Sequence, residues 1–125
     1  MASKQILIIE DNPSNLKLVK TLLTIEGYEI QTATNAEEAL ELLNAFHPHL
    51  ILMDLQLPGM DGLELTQKLK SDPRFQKIII IALTAYAMTR DEEKALAVGC
   101  DGYMTKPIDV KTFPDEIIQF LRKRR

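Results

Sequence analysis

The sequence has 125 residues, a formal net charge of −3, and hydrophobic and charged fractions of 46% and 26%. These values are typical of one ordinary globular domain with its own core. The sequence contains no run of eighteen apolar residues that could cross a membrane, and no cleavage-type secretory signal is seen at the N-terminus. The acidic balance also argues against a nucleic-acid-binding surface over the whole domain. The single cysteine, Cys100, fits a reducing cytoplasm, where we expect the protein to be.

Short apolar runs that predict β-strands alternate along the chain with longer segments of helical period. The runs occupy residues 6–9, 29–33, 50–53, 78–83 and, more weakly, 102–104. Three of them are continuously apolar, which is typical of strands buried on both faces of a parallel sheet. Five strands alternating with five helices predict a single α/β sandwich domain over residues 1–125.

The predicted helices carry start and stop signals. Polar residues that can cap a helix stand at or near each start: Asn12, Asn35, Asp61, Thr89 and Thr112. Two of them, Asn35 and Thr89, have a glutamate three residues later and form candidate capping boxes. Gly27 and Gly99 stand where glycines commonly end helices.

Several chemically useful side chains follow the predicted strands. Glu10 and Asp11 come after the first strand, Asp54 after the third, Thr84 after the fourth and Lys106 after the fifth. In a parallel sheet all these positions lie along one edge, which is where open α/β sheets bind ligands. Any one of them alone would mark only the end of a strand, but the set of three acids, a hydroxyl and an ammonium indicates a site.

The chemistry open to these groups is narrow. Clustered carboxylates repel one another and have raised pKa values unless a cation joins them, and an oxygen-only ligand set suits Mg²⁺, with Mn²⁺ as an alternative. A carboxylate can also act as a nucleophile toward a phosphoryl group, with a metal ion, a lysine and a hydroxyl neutralising the charge. His47 and His49 flank Pro48 without a Cys or acid at ligand spacing, and we expect them to be surface residues.

Four blocks of the sequence resemble the response-regulator receiver domains of two-component systems over essentially the whole chain. The blocks are ILIIEDN at 6–12, LMDLQLPGMDG at 52–62, ALTA at 82–85 and GYMTKP at 102–107. Within this family, single-domain regulators of the DivK type are most similar, through Glu10-Asp11-Asn12 and the segment 84–88. The resemblance implies a flavodoxin-like (βα)5 three-layer sandwich whose five-stranded sheet has the order 2-1-3-4-5.

The resemblance also implies roles for individual residues. Asp54 is expected to accept a phosphoryl group from a histidine kinase or a histidine phosphotransfer protein. Asp11 and Glu10, the latter largely through water, are expected to bind Mg²⁺ together with Asp54 and the backbone carbonyl of Gln56. Thr84 is expected to hydrogen-bond the phosphoryl oxygen. Lys106 is expected to form an ion pair with the phosphoryl oxygen. The peptide bond between Lys106 and Pro107 is expected to be cis.

The family's switch and timing positions are also occupied. Tyr103 is expected to turn inward when Thr84 moves toward the phosphoryl group, which changes the surface around the fourth helix, fifth strand and fifth helix. Gln56 and Tyr86, two residues beyond Asp54 and Thr84, are expected to tune hydrolysis of the aspartyl phosphate. No DNA-binding or enzymatic output domain follows in this chain, so we expect output through contacts with a downstream protein and no membrane insertion.

Three other interpretations remain open from the sequence. The chain could be a receiver segment of a longer hybrid kinase or transcriptional regulator. It could be a Mg²⁺-dependent phosphohydrolase with Asp54 as nucleophile, although such enzymes place a second acid where this chain has Gln56. It could be a flavodoxin-like cofactor binder, although no Ser/Thr/Gly-rich phosphate loop follows the first strand. The basic C-terminus, residues 122–125, could contact an anionic partner, but most such clusters are simply solvated helix ends.

Overall fold

The computed structural model describes residues 4–55, 61–84 and 89–123, with the backbone alone for 89–92 and 123. Strands and helices alternate along these residues. Their bounds are β1 Gln5–Ile9, α1 Pro13–Ile25, β2 Glu29–Ala33, α2 Ala36–Leu43, β3 Leu50–Asp54, α3 Gly62–Lys70, β4 Ile79–Thr84, α4 Thr89–Ala97, β5 Gly102–Thr105 and α5 Phe113–Lys123. The predicted strands are confirmed within one residue at each end.

The five strands form one parallel sheet of order β2-β1-β3-β4-β5, as predicted. In the registers that matter for the site, Ile9 pairs with Met53 and Asp54 pairs with Leu83. Thr84 pairs with Thr105. The carboxyl ends of the three central strands therefore lie side by side, and the polar residues that end or follow them are brought to one edge.

Alternate strand residues face two separate cores, one on each side of the sheet. Leu7, Ile9 and Ile51 pack on the side covered by α2, α3 and α4. Their neighbours Ile6 and Ile8 pack on the side covered by α1 and α5. The central strands β1, β3 and β4 are buried along nearly their whole length, which explains why their sequences are continuously apolar.

Three predicted N-caps make the expected hydrogen bonds. The side-chain oxygen of Asn12 accepts from the Asn15 backbone N–H at 3.1 Å, that of Asn35 from Glu38 at 2.8 Å, and that of Asp61 from Glu64 at 2.8 Å. The capping box at Asn35 differs in one respect from the prediction. Glu38 returns its carboxylate to the N–H of Thr34, at 2.7 Å, one residue before the N-cap.

Both glycines that were predicted to end helices have the left-handed backbone that favours glycine, with φ of +92° at Gly27 and +110° at Gly99. The last helix begins at Phe113, one residue after the predicted start at Thr112. Helix α4 includes Thr89, where the sequence had predicted a cap. The side chains of that predicted capping box lie outside the described residues.

Strand β2 forms one edge of the sheet, with β1 as its neighbour. Its residues alternate between exposed and more buried, and Glu29 and Gln31 are exposed. The Gln5 side-chain amide of β1 donates to the Glu29 carboxylate at 2.9 Å. None of the helices in the described ranges combines the length and the apolar character needed to span a membrane.

At the opposite edge from the carboxylates, Lys70 connects the end of α3 to the beginning of the next strand. Its ammonium donates to the backbone oxygens of Gln76, at 3.2 Å, and Ile78, at 2.7 Å. It also pairs with Asp101 at 3.0 Å, and Asp101 in turn accepts from the Ile80 N–H at 2.8 Å. The Lys70 ammonium therefore holds the α3–β4 connection in place through hydrogen bonds and links it to the turn before β5.

Candidate functional site

The carboxyl-terminal edge of the sheet holds the side chains that the sequence predicted to lie there. Glu10 and Asp11 follow β1, Asp54 is the last residue of β3, Thr84 is the last residue of β4, and Lys106 follows β5. Because all five strands are parallel, these positions share one edge. The predicted clustering is confirmed for the acids and the lysine by direct distances.

The three acids lie close enough to share one cation. Each offers a carboxylate oxygen, and these oxygens all lie within 4.8 Å of one another. Glu10 and Asp54 are only 1% and 3% exposed, whereas Asp11 is exposed. The cluster is thus closed toward the core and open toward solvent on the Asp11 side.

Lys106 supplies the positive charge of the cluster. Its ammonium lies 2.9 Å from Glu10 Oε1 and 3.1 Å from Asp54 Oδ2, and its side chain is 18% exposed. Its backbone N–H donates to the carbonyl of Thr84 at 2.8 Å, which ties the loop after β5 to the end of β4. The Lys106–Pro107 peptide bond is cis, as predicted.

The electrostatics of the site follow from this crowding. Burial raises the pKa of Glu10 from 4.5 to about 7, and the neighbouring Asp54 carboxylate adds to the shift. Lys106 and the N–H of Asn12, which donates to Glu10 Oε2 at 3.2 Å, offset only part of it. Burial alone would lower the pKa of Lys106, but its contacts with Glu10 and Asp54 outweigh burial and raise it. The raised pKa expected for clustered carboxylates is therefore found at Glu10.

These residues fit a hard divalent cation. Glu10 Oε1 is buried, and within the described part of the chain no hydrogen bond of acceptable angle reaches it, although Lys106 is in ionic contact. Such an oxygen can take a further positive partner. The donor set consists of carboxylate oxygens with one side open to water, which is the environment that Mg²⁺ favours.

Two further predicted site residues lie on β4 and β5. Thr84 is 2% exposed at the end of β4, next to β3 in the sheet. Tyr103 on β5 is half-buried and packs against the core on the α2–α3–α4 side. Tyr103 also lines a cavity of about 310 Å³, together with residues of the β5–α5 connection and Glu116 of α5. Tyr103 therefore both contacts the core and borders this cavity.

Gln56 and Tyr86, the predicted timing residues, lie outside the described residues, and so does the Gln56 carbonyl predicted as a metal ligand. His47 and His49 are exposed, as expected. The sequence did not indicate that His49 Nδ1 accepts from the Gln5 N–H at 3.0 Å. Cys100 is buried, as expected for a packing residue, and burial raises the pKa of its thiol.

Gly62 is a site residue whose role the sequence did not reveal. A Cβ at this position would lie 2.6 Å from the backbone oxygen of Asp54 and 2.8 Å from Cα of Leu55. Glycine therefore allows α3 to begin directly against the end of β3. The available signal was a glycine, a poor helix former, immediately after the N-cap Asp61.

The fold is an α/β sandwich around a five-stranded parallel sheet, with an acidic cluster at the carboxyl end of the strands. The chain belongs to the response regulator receiver domain family, whose model matches residues 6–118. This match decides against the phosphohydrolase and the flavodoxin-like cofactor interpretations and confirms the family predicted from the four sequence blocks.

The relatives sharpen the assignment. The chain is similar to the polar-differentiation response regulator DivK of Brucella ovis, with 44% identity over 119 residues that cover 95% of this chain and 97% of the relative. Among solved structures it is similar to the receiver domain of a signal transduction histidine kinase from Syntrophus aciditrophicus, with 32% identity, a TM-score of 0.88, and coverage of 97% and 92% of the two chains.

A second solved structure bears on the metal. The receiver domain of a sensor histidine kinase from Pseudomonas aeruginosa PAO1 has 29% identity and a TM-score of 0.87, with 97% of this chain and 99% of the other covered. In that protein a magnesium ion is coordinated in the active site cleft. The predicted similarity to single-domain DivK-type regulators is likewise confirmed by the curated relatives.

Proposed function

We propose that this protein is a phosphorylation-switched response regulator in which Asp54 accepts a phosphoryl group from a phosphohistidine. The donor is a sensor histidine kinase or a histidine phosphotransfer protein. The observation that carries the proposal is the position of Asp54: it is 3% exposed, ends β3 and lies 3.1 Å from the Lys106 ammonium. A carboxylate placed in this way, in a chain of the receiver family, is the natural phosphoryl acceptor.

In the proposed transfer, an Asp54 carboxylate oxygen forms a P–O bond while the P–N bond of the phosphohistidine breaks. The leaving imidazole nitrogen takes up a proton from solvent. Lys106 already contacts Asp54 Oδ2, and its ammonium then pairs with the phosphoryl oxygens. Catalysis of this kind depends on positioning and on charge neutralisation, because the protein contributes little other covalent chemistry.

Glu10, Asp11 and Asp54 would hold Mg²⁺, or Mn²⁺ in its place, with the Gln56 backbone carbonyl as a further ligand. When bound, the metal neutralises charge on the phosphoryl oxygens. The support within this chain is the cluster of carboxylate oxygens within 4.8 Å and the buried Glu10 Oε1 described above. Asp11, the exposed member, is suited to direct coordination from the solvent side.

The switch is proposed to run from Thr84 to Tyr103. The Thr84 hydroxyl would donate to the phosphoryl group, and the space that its movement leaves would be taken by the Tyr103 ring. Because Tyr103 lines the 310 Å³ cavity between β5 and α5, its movement changes the face formed by α4, β5 and α5. A downstream protein would recognise that face, in keeping with two populations of one fold that phosphorylation redistributes.

Gln56 and Tyr86 are proposed to set the lifetime of the aspartyl phosphate. A bulky tyrosine at position 86 would restrict the water that attacks in line. Decay of the phosphorylated protein should therefore be faster in Tyr86→Ala, and an unchanged lifetime would remove this assignment. We also place the protein in the cytoplasm, because its buried single thiol suits a reducing compartment.

The direct test is incubation with acetyl phosphate and Mg²⁺, followed by intact mass. The wild-type protein should gain one phosphoryl group, Asp54→Asn should gain none, and Asp115→Asn should behave as wild type because Asp115 is an exposed acid on α5. Removal of the metal with a chelator should abolish labelling. No adduct on the wild type, or one that persists in Asp54→Asn, would refute the proposal.

A further inference from the structure

A second concave site lies at the amino-terminal ends of the strands, at the end of the sheet opposite Asp54. It is a cavity of about 630 Å³, within the size range of small-molecule sites. The strands enter the sheet here: Lys4 precedes β1, His49 precedes β3 and Ile78 precedes β4. Since β3 separates His49 from Asp54 by five residues, the two sites are about 16 Å apart along the strand. They cannot share one small ligand.

The polar part of this cavity is cationic. Its lining includes Lys4, Arg74 and Lys77 together with the two histidines, and among the residues that the structure describes none of those lining it is acidic. Among the described residues, Asp72 pairs with one member of this lining: its carboxylate lies 2.8 Å from Arg74 Nη2. The Asp72 carboxylate accepts hydrogen bonds from Arg74 Nε and Nη2. These bonds use two of the five N–H groups of the guanidinium. The Arg74 side chain remains 69% exposed.

One of the histidines is tied to the backbone of β1. His49 Nδ1 accepts a hydrogen bond from the Gln5 backbone N–H at 3.0 Å, and the backbone N–H of His49 donates to the Gln5 carbonyl at 2.8 Å. With Nδ1 accepting, the neutral imidazole carries its proton on Nε2. The ring therefore lines the cavity with an N–H group whose tautomer is set by the β1 backbone.

The rest of the wall is apolar. Pro48, Ile78 and Ile79 are buried, and Leu121 of α5 is half-buried. A concave site with cations at its rim and an apolar wall selects a compact ligand that has both characters, which a flat anionic membrane does not offer.

We propose that this cavity binds a phosphate-bearing small molecule of the nucleotide class, its phosphate at Lys4, Arg74 and Lys77 and its base against Ile78, Ile79 and Leu121. This binding is independent of phosphoryl transfer at Asp54. It gives the domain a second input, at the end of the sheet that the phosphorylation site leaves unused.

The test is a titration of the metal-free, isotope-labelled protein with AMP, followed by two-dimensional NMR. Saturable shifts should appear at the amides of His49, Ile78 and Leu121, with a dissociation constant of about 1 mM or tighter, while Asp54 and Thr84 stay in place. Inorganic phosphate should move the same amides but bind about tenfold more weakly, because it does not bury the apolar wall.

Matched charge reversals complete the test. Lys4→Glu and Lys77→Glu should each weaken AMP binding by about tenfold, whereas Lys20→Glu, an exposed lysine on α1 outside the cavity, should change it less than about twofold. Retained spectral dispersion verifies that each variant is folded. The proposal is overturned by an absence of saturable shifts, by shifts confined to the Asp54 edge, by equal affinity for phosphate and AMP, or by equal losses in all three variants.

Discussion

The variant Glu10→Gln offers the sharpest test of how the cluster of Glu10, Asp11, Asp54 and Lys106 is built. In the metal-free protein the pKa of Glu10 is raised to about 7 by burial and by Asp54, against an ordinary value of 4.5. A carboxyl group whose pKa is raised on folding stabilises the fold only while it is protonated. Its contribution is fully present below about pH 4.5 and is lost as the pH rises through about 7.

The size of the effect follows from the shift. A rise in the pKa of Glu10 from 4.5 to about 7 corresponds to about 3 kcal/mol of unfolding free energy, which is lost as the pH rises through this range. Because Glu10 is only 1% exposed, solvent screening reduces this little. Glutamine keeps the shape of the side chain and never ionises, so the variant avoids the loss.

The assay is urea unfolding with a chelator present, at pH values from about 5 to about 8. The wild-type protein and Glu10→Gln should be nearly equal in stability at the acidic end. At the basic end the variant should be more stable, by about 2–3 kcal/mol. Adding Mg²⁺ should stabilise the wild type and release protons, with a smaller effect on the variant. A stability difference that does not change with pH would refute this account of the pocket.

Three further predictions concern the scaffold around the two sites. Lys70→Met should lower the unfolding free energy by about 1–3 kcal/mol in the same urea assay, because two backbone oxygens and an aspartate lose their hydrogen-bond donor. The control is Lys68→Met, which replaces an exposed lysine on the same helix. It should change the unfolding free energy by less than about 0.5 kcal/mol. Gly62→Ala should lower the unfolding free energy by about 1–3 kcal/mol and slow acetyl-phosphate labelling, since its Cβ would press on the backbone of Asp54 and Leu55. Normal stability and labelling would contradict the close contact. Gly102→Ala should lower the melting temperature, because its Cβ would lie 2.5 Å from the Phe120 ring. Adding Phe120→Leu should restore part of the lost stability. If the double variant melts no higher than Gly102→Ala, the clash is not the cause.

Much of the fold was predictable because its signals are local. The apolar runs placed all five strands within one residue, and Asn12, Asn35 and Asp61 cap their helices through the hydrogen bonds their positions suggested. The edge that carries Asp54 was predictable for a different reason. Parallel strands all end on the same side, so the order of the strands was not needed to bring their carboxyl ends together.

What the sequence did not reveal depends on distances between segments far apart in the chain. Lys70 and Asp101 are separated by 31 positions, and their pairing requires knowing that α3 ends beside the turn before β5. The bond between His49 and Gln5 depends on the register of β1 and β3. The cationic cavity draws on four separate segments, none of which carries a motif of its own. Tertiary packing created these features, and local pattern could not.

The open edge of the sheet has a consequence for behaviour at high concentration. A strand with unpaired backbone groups along one side is a template on which another chain can extend a sheet. Within the described part of the chain, β2 pairs with β1 alone, but it carries the exposed carboxylate of Glu29, which accepts a hydrogen bond from the Gln5 amide. A second molecule that added itself to this edge would have to dehydrate that charge, so the domain should resist edge-to-edge aggregation. Glu29→Val would replace this charge with an apolar β-branched side chain on the edge strand, and we expect the variant to associate through β2 more readily than the wild type.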